Sequence, residues 1–269
     1  MERVDVVYTL APFSKHGDDW ELRYSLRSLA QQDWVGEIYM VGHCPSWATD
    51  VWFVPCGDPW PAVKDANIIH KVLTACQVPE LSSQFVINSD DHYILKPIPL
   101  EGLGPWLENP SQLPESYRKM KRSTWHRRLV ETMNWCRKIR RPEWVTECHI
   151  PYLVSKKLYQ EKMGPAPYAR GNGLWSHFYY CAVLDLKDAP KLEPLGMTVR
   201  LKDAVTRPEL DKLTRKAVFF NHNNKGLSPA VKTWMEERFP DPSPWEVSEV
   251  GKRVRRVRNR STQEQVSRV

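Results

Sequence analysis

The stretch Phe85-Val86-Ile87-Asn88-Ser89-Asp90-Asp91-His92-Tyr93-Ile94-Leu95 places two adjacent carboxylates inside an otherwise apolar run. The apolar residues before the pair predict a buried β-strand, which puts Asp90 and Asp91 at its end. Two ionised carboxylates are costly to bury unless both charges are compensated, and a hard divalent cation bound through oxygen compensates both. The stretch therefore predicts a metal and phosphate site at the end of a strand. The alternative is a turn between two edge strands, with polar side chains that supply local hydrogen bonds.

The residues that precede this stretch alternate between strand-like and helix-like patterns. One helix is predicted to begin after Asp18 or Asp19, and a second is predicted to span 66–76. Runs rich in β-branched and aromatic residues predict strands at 4–10, 37–41 and 51–54. Strands that alternate with helices require right-handed crossovers, and this order predicts an α/β fold with a mostly parallel, twisted sheet flanked by helices.

Polar residues follow several of the predicted strands. Thr9, His43 and the Asp90–Asp91 pair all fall at carboxyl ends. Because ligands of such sheets bind beyond the carboxyl ends of the strands, one crevice is expected to hold all of these side chains.

Length and composition define the expected domain organisation. With 269 residues, of which 41% are hydrophobic, the chain can form one large α/β domain, predicted at 1–239. The Pro-rich stretch 240–245 predicts a boundary before a basic extension at 240–269. The first residues do not resemble a signal peptide, and no run approaches the roughly 20 apolar residues of a spanning helix. We therefore expect a cytoplasmic protein, in the host cytoplasm if the chain is viral. The six cysteines form no C-x-x-C pair, so reduced thiols are expected.

Basic residues are concentrated in two blocks. Between Arg118 and Arg141 ten Lys or Arg stand against one Glu, a net charge of +9. The tail from Gly251 has seven against one, a net charge of +6, and the rest of the chain sums to −8. Such concentration is typical of contact with a polyanion. The alternative is a solvated helix face followed by a disordered tail.

Several blocks, in order along the chain, resemble the Stealth family, which includes N-acetylglucosamine-1-phosphotransferases and capsule sugar-phosphate transferases. The first blocks are Asp5–Thr9, Glu21–Leu29, Ile38–Val41 and Asn88–Asp91. The family's third and fourth motifs have counterparts at Cys148–Tyr152 and Val218–Asn224. The resemblance implies a fold similar to GT-A glycosyltransferases, a divalent metal (Mn²⁺ or Mg²⁺) and a nucleotide-sugar donor.

The chain departs from the family pattern at two places. Leu10-Ala11-Pro12 stands where the family usually has Trp-Val-Asp, and Asn221-His222-Asn223-Asn224 replaces acidic residues of the fourth motif. Three functions therefore stay open. The first is metal-dependent transfer of a sugar from a nucleotide-activated donor to an acceptor hydroxyl. The second is sugar-1-phosphate transfer in surface polysaccharide synthesis, and the third is a non-catalytic basic module that binds nucleic acid.

The donor side of the crevice is expected to bind the cation and the nucleotide. A cation at the aspartate pair would neutralise the departing diphosphate, with Asp91 as first ligand and Asp90 near the ribose or the metal. The resemblance to GT-A enzymes implies His222 as a further metal ligand, and the alternative is a capping or core histidine. Three residues are expected to orient the nucleotide or brace the crevice: Thr9, Arg23 and Asn67. For Arg23 the alternative is a buried ion pair.

Two residues are predicted to take part in catalysis. Arg170, in the glycine-flanked stretch 168–173, matches a family arginine and is suited to clamp phosphate bidentately. The alternative for Arg170 is a surface position in a loop. His149 precedes Ile150-Pro151 and is a candidate general base for the acceptor hydroxyl, with a pKa near working pH. Its alternative is a structural histidine at a strand end.

The acceptor is predicted from the basic block. Over 123–141, apolar residues at helical spacing predict one packed stripe, which leaves arginines facing outward. These arginines, represented by Arg122, Arg127 and Arg128, are expected to hold a phosphate backbone. DNA is then a candidate acceptor, for instance through a hydroxymethylated base that is flipped out of the duplex. A polysaccharide, a lipid-linked acceptor or a phosphorylated acceptor at an anionic membrane surface also suits these arginines.

Overall fold

The computed structural model describes residues 3–11, 19–107, 123–146, 149–184, 186, 190–194, 196–247 and 258–259. The strands of these residues are β1 (Val4–Thr9), β2 (Val35–Val41), β3 (Trp52–Val54), β4 (Gln84–Asn88), β5 (His92–Ile94), β6 (Trp106–Leu107), β7 (Tyr152–Ser155), β8 (Lys191–Leu192), β9 (Thr198–Leu201), β10 (Phe219–His222) and β11 (Arg258–Asn259).

The helices connect these strands and cover the sheets. They are α1 (Trp20–Leu29), α2 (Lys64–Ala75), α3 (Thr124–Lys138), α4 (Lys156–Met163), α5 (Ser176–Val183), α6 (Arg207–Thr214) and α7 (Pro229–Arg238). None of the helices in the described ranges is long and apolar enough to span a bilayer.

The largest sheet has the strand order β11-β3-β2-β1-β4-β7. All neighbouring strands are parallel except β7, which runs antiparallel to β4. Successive side chains of β1 point to opposite faces: Val6 packs with Leu26 of α1, and Val7 packs with Ile69 of α2. The sheet is therefore buried on both sides, which confirms the predicted α/β fold with a mostly parallel sheet between helices.

A second sheet has the order β5-β10-β9 and packs against α6 and α7 through Tyr93, Phe220, Leu210 and Trp234. β5 is antiparallel to β10, and β10 is parallel to β9. The stretch 85–95 thus contains two strands of different sheets, and the aspartates form the connection between them. Because β10 pairs with β5, its last residue, His222, is brought close to that connection.

The structure refines the predicted element bounds. The strands predicted at 4–10, 37–41 and 51–54 correspond to β1, β2 and β3, and β2 begins two residues earlier than predicted. Asp19 occupies the position before α1, but its side chain makes no capping hydrogen bond. Its Oδ2 lies 3.2 Å from His43 Nε2 instead. The five cysteines within the described ranges are free thiols, and Cys148 lies outside those ranges.

The first residues of the predicted extension are attached to the domain. Glu246 accepts hydrogen bonds from Arg27 at 2.9 Å and from Arg23 at 3.0 Å. The backbone also pairs there, with Val247 N donating to the carbonyl of Trp47. Further along, β11 pairs with β3 at the edge of the large sheet. The boundary predicted at 240 stays a prediction, while most of the basic tail lies outside the described residues.

Candidate functional site

The turn at Ser89–Asp91 carries the two aspartates at the carboxyl end of β4, as predicted. β4 lies between β1 and β7, so the turn leaves an internal strand and the alternative with two edge strands is wrong. The main chain of the turn is held from α1. Ser25 Oγ lies 2.7 Å from the carbonyl oxygen of His92 and 3.2 Å from that of Ser89. One buried hydroxyl therefore contacts both ends of the segment that presents the carboxylates.

Glu21, in the first turn of α1, is a third carboxylate of this edge. Burial, followed by the charges of Asp90 and Asp91, raises the pKa of Glu21 to about 7. Burial and the charge of Asp91 also raise the pKa of Asp90 to about 6, although water reaches part of its side chain. Asp90 and Asp91 thus make ionisation of Glu21 less favourable, and Asp91 has the same effect on Asp90. We refer to Glu21, Asp90 and Asp91 as the carboxylate cluster.

His222 lies beside the cluster at the end of β10. Its Nδ1 is 3.7 Å from Glu21 Oε1 and 3.3 Å from the carbonyl oxygen of Asn223. Its Nε2 is 2.9 Å from Tyr93 Oη, and the side chain is fully buried. Both ring nitrogens therefore have protein neighbours. This geometry is that of the core histidine that the sequence left open as the alternative to a metal ligand.

Three further histidines form a group that begins at His92, the residue after Asp91. His92 and His149 stack edge to face, with ring centroids 6.2 Å apart, and His177 stacks on Tyr152 at 4.0 Å. Burial is the largest cause that lowers the pKa of each of them to about 3. The expectation that the pKa of His149 lies near working pH is therefore wrong. Its imidazole is neutral at pH 7, and its backbone is held in the left-handed region at φ 47°.

Positive charge reaches the cluster from other elements. Lys64, the first residue of α2, lowers the pKa of both Glu21 and Asp90, and Lys232 of α7 acts in the same direction on Glu21. Arg200 of β9 contributes to the lowered pKa of His92 and His149. The edge therefore combines carboxylates with surrounding cations, an arrangement that suits a phosphate-bearing ligand with a metal ion.

The structure places the predicted nucleotide residues at different points. Thr9 ends β1 at the carboxyl edge, as predicted. Asn67 is buried, and its side-chain amide makes two hydrogen bonds to the backbone of Trp60. Oδ1 accepts from the N–H at 3.0 Å, and Nδ2 donates to the carbonyl at 2.9 Å. Arg23 pairs with Glu246 and stacks on Trp47 at 4.2 Å. Asn67 and Arg23 thus brace loops in this structure, and contact with a nucleotide stays a prediction for both.

Arg170 lies in a tight loop with an exposed side chain. The loop is fixed by its neighbours: Gly173 has φ +83°, and a Cβ there would clash with Val63 Cγ1. Glu131 of α3 accepts a hydrogen bond of 2.7 Å from the N–H of Asn172. Because Val63 directly precedes Lys64, Arg170 belongs to the loop that packs against the start of α2. Its predicted role as a phosphate clamp stays a prediction.

The three acceptor arginines have different environments. Arg128 forms an ion pair with Asp65 and donates to the carbonyl of Asn172 at 2.9 Å. The prediction that it faces outward is wrong, because it ties α3 to α2 and to the Arg170 loop. Arg127 is exposed, and Arg122 lies outside the described residues. The predicted apolar stripe of α3 is confirmed at three positions, with Leu129, Met133 and Cys136 buried.

The resemblance implies a metal, and the carboxylate cluster provides a test of whether these residues suit one. Within the described ranges no three His, Cys, Asp or Glu side chains are grouped closely enough to hold a metal ion by themselves. The chemistry of the cluster nevertheless fits a hard divalent cation, because carboxylate oxygens are its preferred ligands and repulsion between the acids would be relieved by binding. Diphosphate oxygens and water would have to supply the other ligands.

Sequence reasoning missed Glu21 and Lys64. Glu21 was inside a block quoted for the family resemblance, so its position there was an available signal. A glutamate in the first turn of a helix is otherwise expected simply for its favourable interaction with the helix dipole. Nothing in the residues around Lys64 indicated that it would reach the aspartate turn.

Comparisons with known proteins identify no family. No family model matches the chain, and no curated protein matches it. Among solved structures, the chain is similar to the crystal structure of a glycosyltransferase involved in the glycosylation of the major capsid of PBCV-1. That match has 10% sequence identity and a TM-score of 0.37, and it covers 87% of this chain and 99% of the other. A likeness at this level identifies no reaction.

Proposed function

We propose that the chain transfers a sugar from a nucleoside diphosphate donor to an acceptor hydroxyl, with the carboxylate cluster as the reaction centre. The observation that carries the proposal is the placement of Asp90 and Asp91 just beyond the carboxyl end of the internal strand β4, with Glu21 of α1 close enough for both charges to raise its pKa. Carboxylates with structural ion pairs show the opposite: Arg27 and Arg23 hold the pKa of Glu246 below its usual value despite burial. Acids kept close together against their own repulsion are typical of a functional site.

Asp90 and Asp91 are the residues that would hold the divalent cation. When bound, Mn²⁺ or Mg²⁺ supplies neutralisation of the negative charge that develops on the departing diphosphate. Lys64 and Arg170 lie on adjoining segments and supply further positive charge for the phosphate oxygens. Arg170 is suited to two parallel hydrogen bonds, whereas Lys64 acts as a point charge.

Glu21 is the residue that we assign to the proton of the acceptor hydroxyl. It is mostly buried, and it is the member of the cluster that lies on α1 and not on the metal-binding turn. His149, which we predicted as the base, is neutral and more weakly basic, so it is suited to hydrogen-bond the acceptor or to shape the crevice.

Donor binding is tested by thermal shift of the full chain with a panel of nucleoside diphosphate sugars, with and without Mn²⁺. We expect stabilisation by at least one donor that requires the metal. Asp91→Asn should abolish this effect, and Asp211→Asn, in an exposed ion pair with Arg207, should retain it. The absence of any metal-dependent stabilisation across the panel would overturn the proposal in favour of a non-catalytic module.

Turnover then distinguishes two transferases. Sugar transfer breaks the bond between the anomeric carbon and the diphosphate, so it releases a nucleoside diphosphate and forms a glycoside. Sugar-phosphate transfer releases a nucleoside monophosphate and leaves a phosphodiester in the product. Mass spectrometry of both products decides between them, and we expect the nucleoside diphosphate.

For the acceptor we propose DNA that carries a hydroxymethylated base, bound on the exposed side of α3. The support is the basic block and the exposure of Arg127. Arg127→Glu should weaken binding of duplex DNA and reduce its salt dependence, because a phosphate contact is lost. The matched variant Arg128→Gln should leave the salt dependence unchanged, since Arg128 is held by Asp65. Equal DNA affinity of wild type and Arg127→Glu would remove DNA from the proposal.

A further inference from the structure

Two serines on one face of α1 contact the chain on both sides of the aspartate turn. Ser25 and Ser28 are fully buried, at 0% and 1% exposure. Ser25 contacts the carbonyls of Ser89 and His92, whereas Ser28 Oγ accepts a hydrogen bond of 3.1 Å from the N–H of Ile94 in β5. The turn with Asp90 and Asp91 is therefore enclosed between two contacts to the same helix.

The polar groups around Ser25 admit one consistent direction of hydrogen bonding. Asn88 Nδ2 donates to Tyr8 Oη at 2.9 Å and to Ser25 Oγ at 3.3 Å. Ser25 has one hydrogen, and its nearest acceptor is the carbonyl of His92, so Tyr8 is the donor in the 2.9 Å contact between Tyr8 Oη and Ser25 Oγ. Ser25 then accepts from both neighbours, and its only hydrogen is directed to the carbonyl of His92 at 2.7 Å. Asn88 Oδ1 accepts from the N–H of Ser89, which completes the chain of contacts.

The hydrogen bond from Ser25 to the carbonyl of His92 matters because the carboxylates of the cluster repel one another. The side chain of Asp91 has a distant neighbour, His92 Nε2 at 3.7 Å, so the backbone of the turn has to resist the repulsion. The short bond from Ser25 to the His92 carbonyl anchors the residue that directly follows Asp91. Without that bond the turn is free to relax and to separate the aspartates from each other and from Glu21.

We propose that Ser25 is a positioning residue of the cation site: its hydroxyl, oriented by Tyr8 and Asn88, holds the aspartate turn in the form that binds the metal. The inference rests on the proposed function, in which Asp90 and Asp91 hold the cation. Supporting groups of this kind typically change metal affinity by about 10- to 100-fold when they are removed. Ser28 is the natural comparison, because it is equally buried on the same helix and its contact lies in β5, beyond the turn.

The test compares wild type, Ser25→Ala and Ser28→Ala as full chains. Mn²⁺ affinity is measured directly by electron paramagnetic resonance titration in the presence of saturating nucleoside diphosphate (UDP, GDP, CDP and ADP in turn), without turnover. We expect Ser25→Ala to weaken Mn²⁺ binding by about tenfold or more, whereas Ser28→Ala stays within about threefold of wild type. Both variants should lose thermal stability, and Ser25→Ala should lose more, because Tyr8 and Asn88 also lose a hydrogen-bond partner. The proposal would be overturned if Ser25→Ala bound Mn²⁺ as tightly as wild type. It would also be overturned if Ser25→Ala and Ser28→Ala lost Mn²⁺ affinity to the same extent.

A second measurement keeps the inference separate from the proposed function. Amide hydrogen exchange, followed by NMR, reports the turn without any metal. Ser25→Ala should speed exchange at His92, whose N–H bonds the carbonyl of Ser89, and Ser28→Ala should speed it at Ile94. A wild type that binds no Mn²⁺ even with nucleoside diphosphate present would refute the cation site itself. Unchanged exchange at His92 in Ser25→Ala would refute the anchoring role of Ser25.

Discussion

His222 Nε2 lies 2.9 Å from Tyr93 Oη, and Nδ1 of the same ring lies 3.7 Å from Glu21 Oε1. Burial, followed by the charge of Glu21, raises the pKa of Tyr93 far above its usual value, so the phenol keeps its hydrogen and donates it to Nε2. Nδ1 then carries the ring hydrogen and faces the carbonyl of Asn223 and Glu21. The lone pair of Nε2, which a metal ion would need, therefore accepts the hydrogen bond of Tyr93. The opposite side of the ring packs against Glu21.

Substitution of His222 separates these two roles. His222→Ala should lower the free energy of unfolding by about 1–3 kcal/mol, because it leaves the buried hydroxyl of Tyr93 without its partner. Mn²⁺ affinity, measured by titration, should change little. Tyr93→Phe is the control, since it removes the same hydrogen bond and keeps the ring. A loss of Mn²⁺ affinity of about tenfold or more in His222→Ala alone would show that His222 is a ligand after all.

Glu21→Gln should stabilise the protein while it removes activity. The pKa of Glu21 is raised from 4.5 to about 7, so the folded state binds its proton more tightly than the unfolded state does. Ionised Glu21 therefore destabilises the fold above pH 7, by up to about 3 kcal/mol, and has no such effect below pH 4. Urea unfolding at pH 4 and pH 8 should show a gain for the variant at pH 8 only, and kcat should fall by about 100-fold or more.

The control for this variant is Glu209→Gln. Glu209 is exposed in a capping box, and its hydrogen bonds to the backbone and side chain of Thr206 lower its pKa. Removal of that charge should give no stability gain at pH 8. A Glu21→Gln variant with full turnover would show that another residue is the base. Equal stability changes in Glu21→Gln and Glu209→Gln at pH 8 would show that the carboxylates of the cluster do not destabilise the fold.

The buried histidines predict an early loss of stability in acid. A histidine whose pKa falls to about 3 on folding stays neutral in the native state, so the unfolded state binds more protons between about pH 3 and 6.5. Stability should therefore fall as the pH drops below 6.5. His177→Phe retains stacking on Tyr152 and removes the titrating group. We expect the acid-induced loss of unfolding free energy between pH 7 and 4.5 to shrink by on the order of 2 kcal/mol in this variant.

Urea denaturation at a series of pH values provides the measurement. His126→Phe is a useful comparison, because His126 is also a buried histidine but belongs to α3. A pH profile of His177→Phe that parallels wild type would show that His177 does not remain neutral on folding.

The large sheet was predictable because its evidence is local. Runs such as Val4–Thr9 have strand composition, and Leu22, Leu26 and Leu29 recur at helical spacing, so order and class follow from the periodicity. The aspartate pair stood out for the same reason, since charge inside an apolar run is visible without a fold. These parts of the prediction are confirmed by β1, α1 and β4.

The site's electrostatics depend on residues that are distant along the chain. Arg128 was expected to face solvent from helical periodicity alone, but Asp65 and Asn172 are brought to it by two other segments. His149 was given an ordinary pKa because its burial beside His92 is set by tertiary packing. Glu21 was overlooked because the residues around it, Asp90 and Asp91 after β4 and His222 of β10, are distant along the chain. No local sequence pattern connects them to α1.

For Arg23, the expected contact with the nucleotide competes with its pairing to Glu246. The Glu246 side chain is 1% exposed and receives Arg23 at 3.0 Å and Arg27 at 2.9 Å. Glu246→Gln should lower the free energy of unfolding by about 3 kcal/mol, because it leaves two guanidinium groups without their countercharge. Donor affinity should stay at the wild-type value, since the pair joins α1 to the segment 240–247 and not to the carboxylate cluster.

A double-mutant cycle with Arg23→Ala resolves the two roles. If Arg23 only braces that segment, the unfolding free energies of Arg23→Ala and Glu246→Gln will be non-additive, and donor affinity will be unchanged in both variants. Arg23→Ala also removes the stacking on Trp47, so its own loss should include a packing contribution. Weaker donor binding in Arg23→Ala, with normal binding in Glu246→Gln, would assign Arg23 to the nucleotide as the sequence predicted.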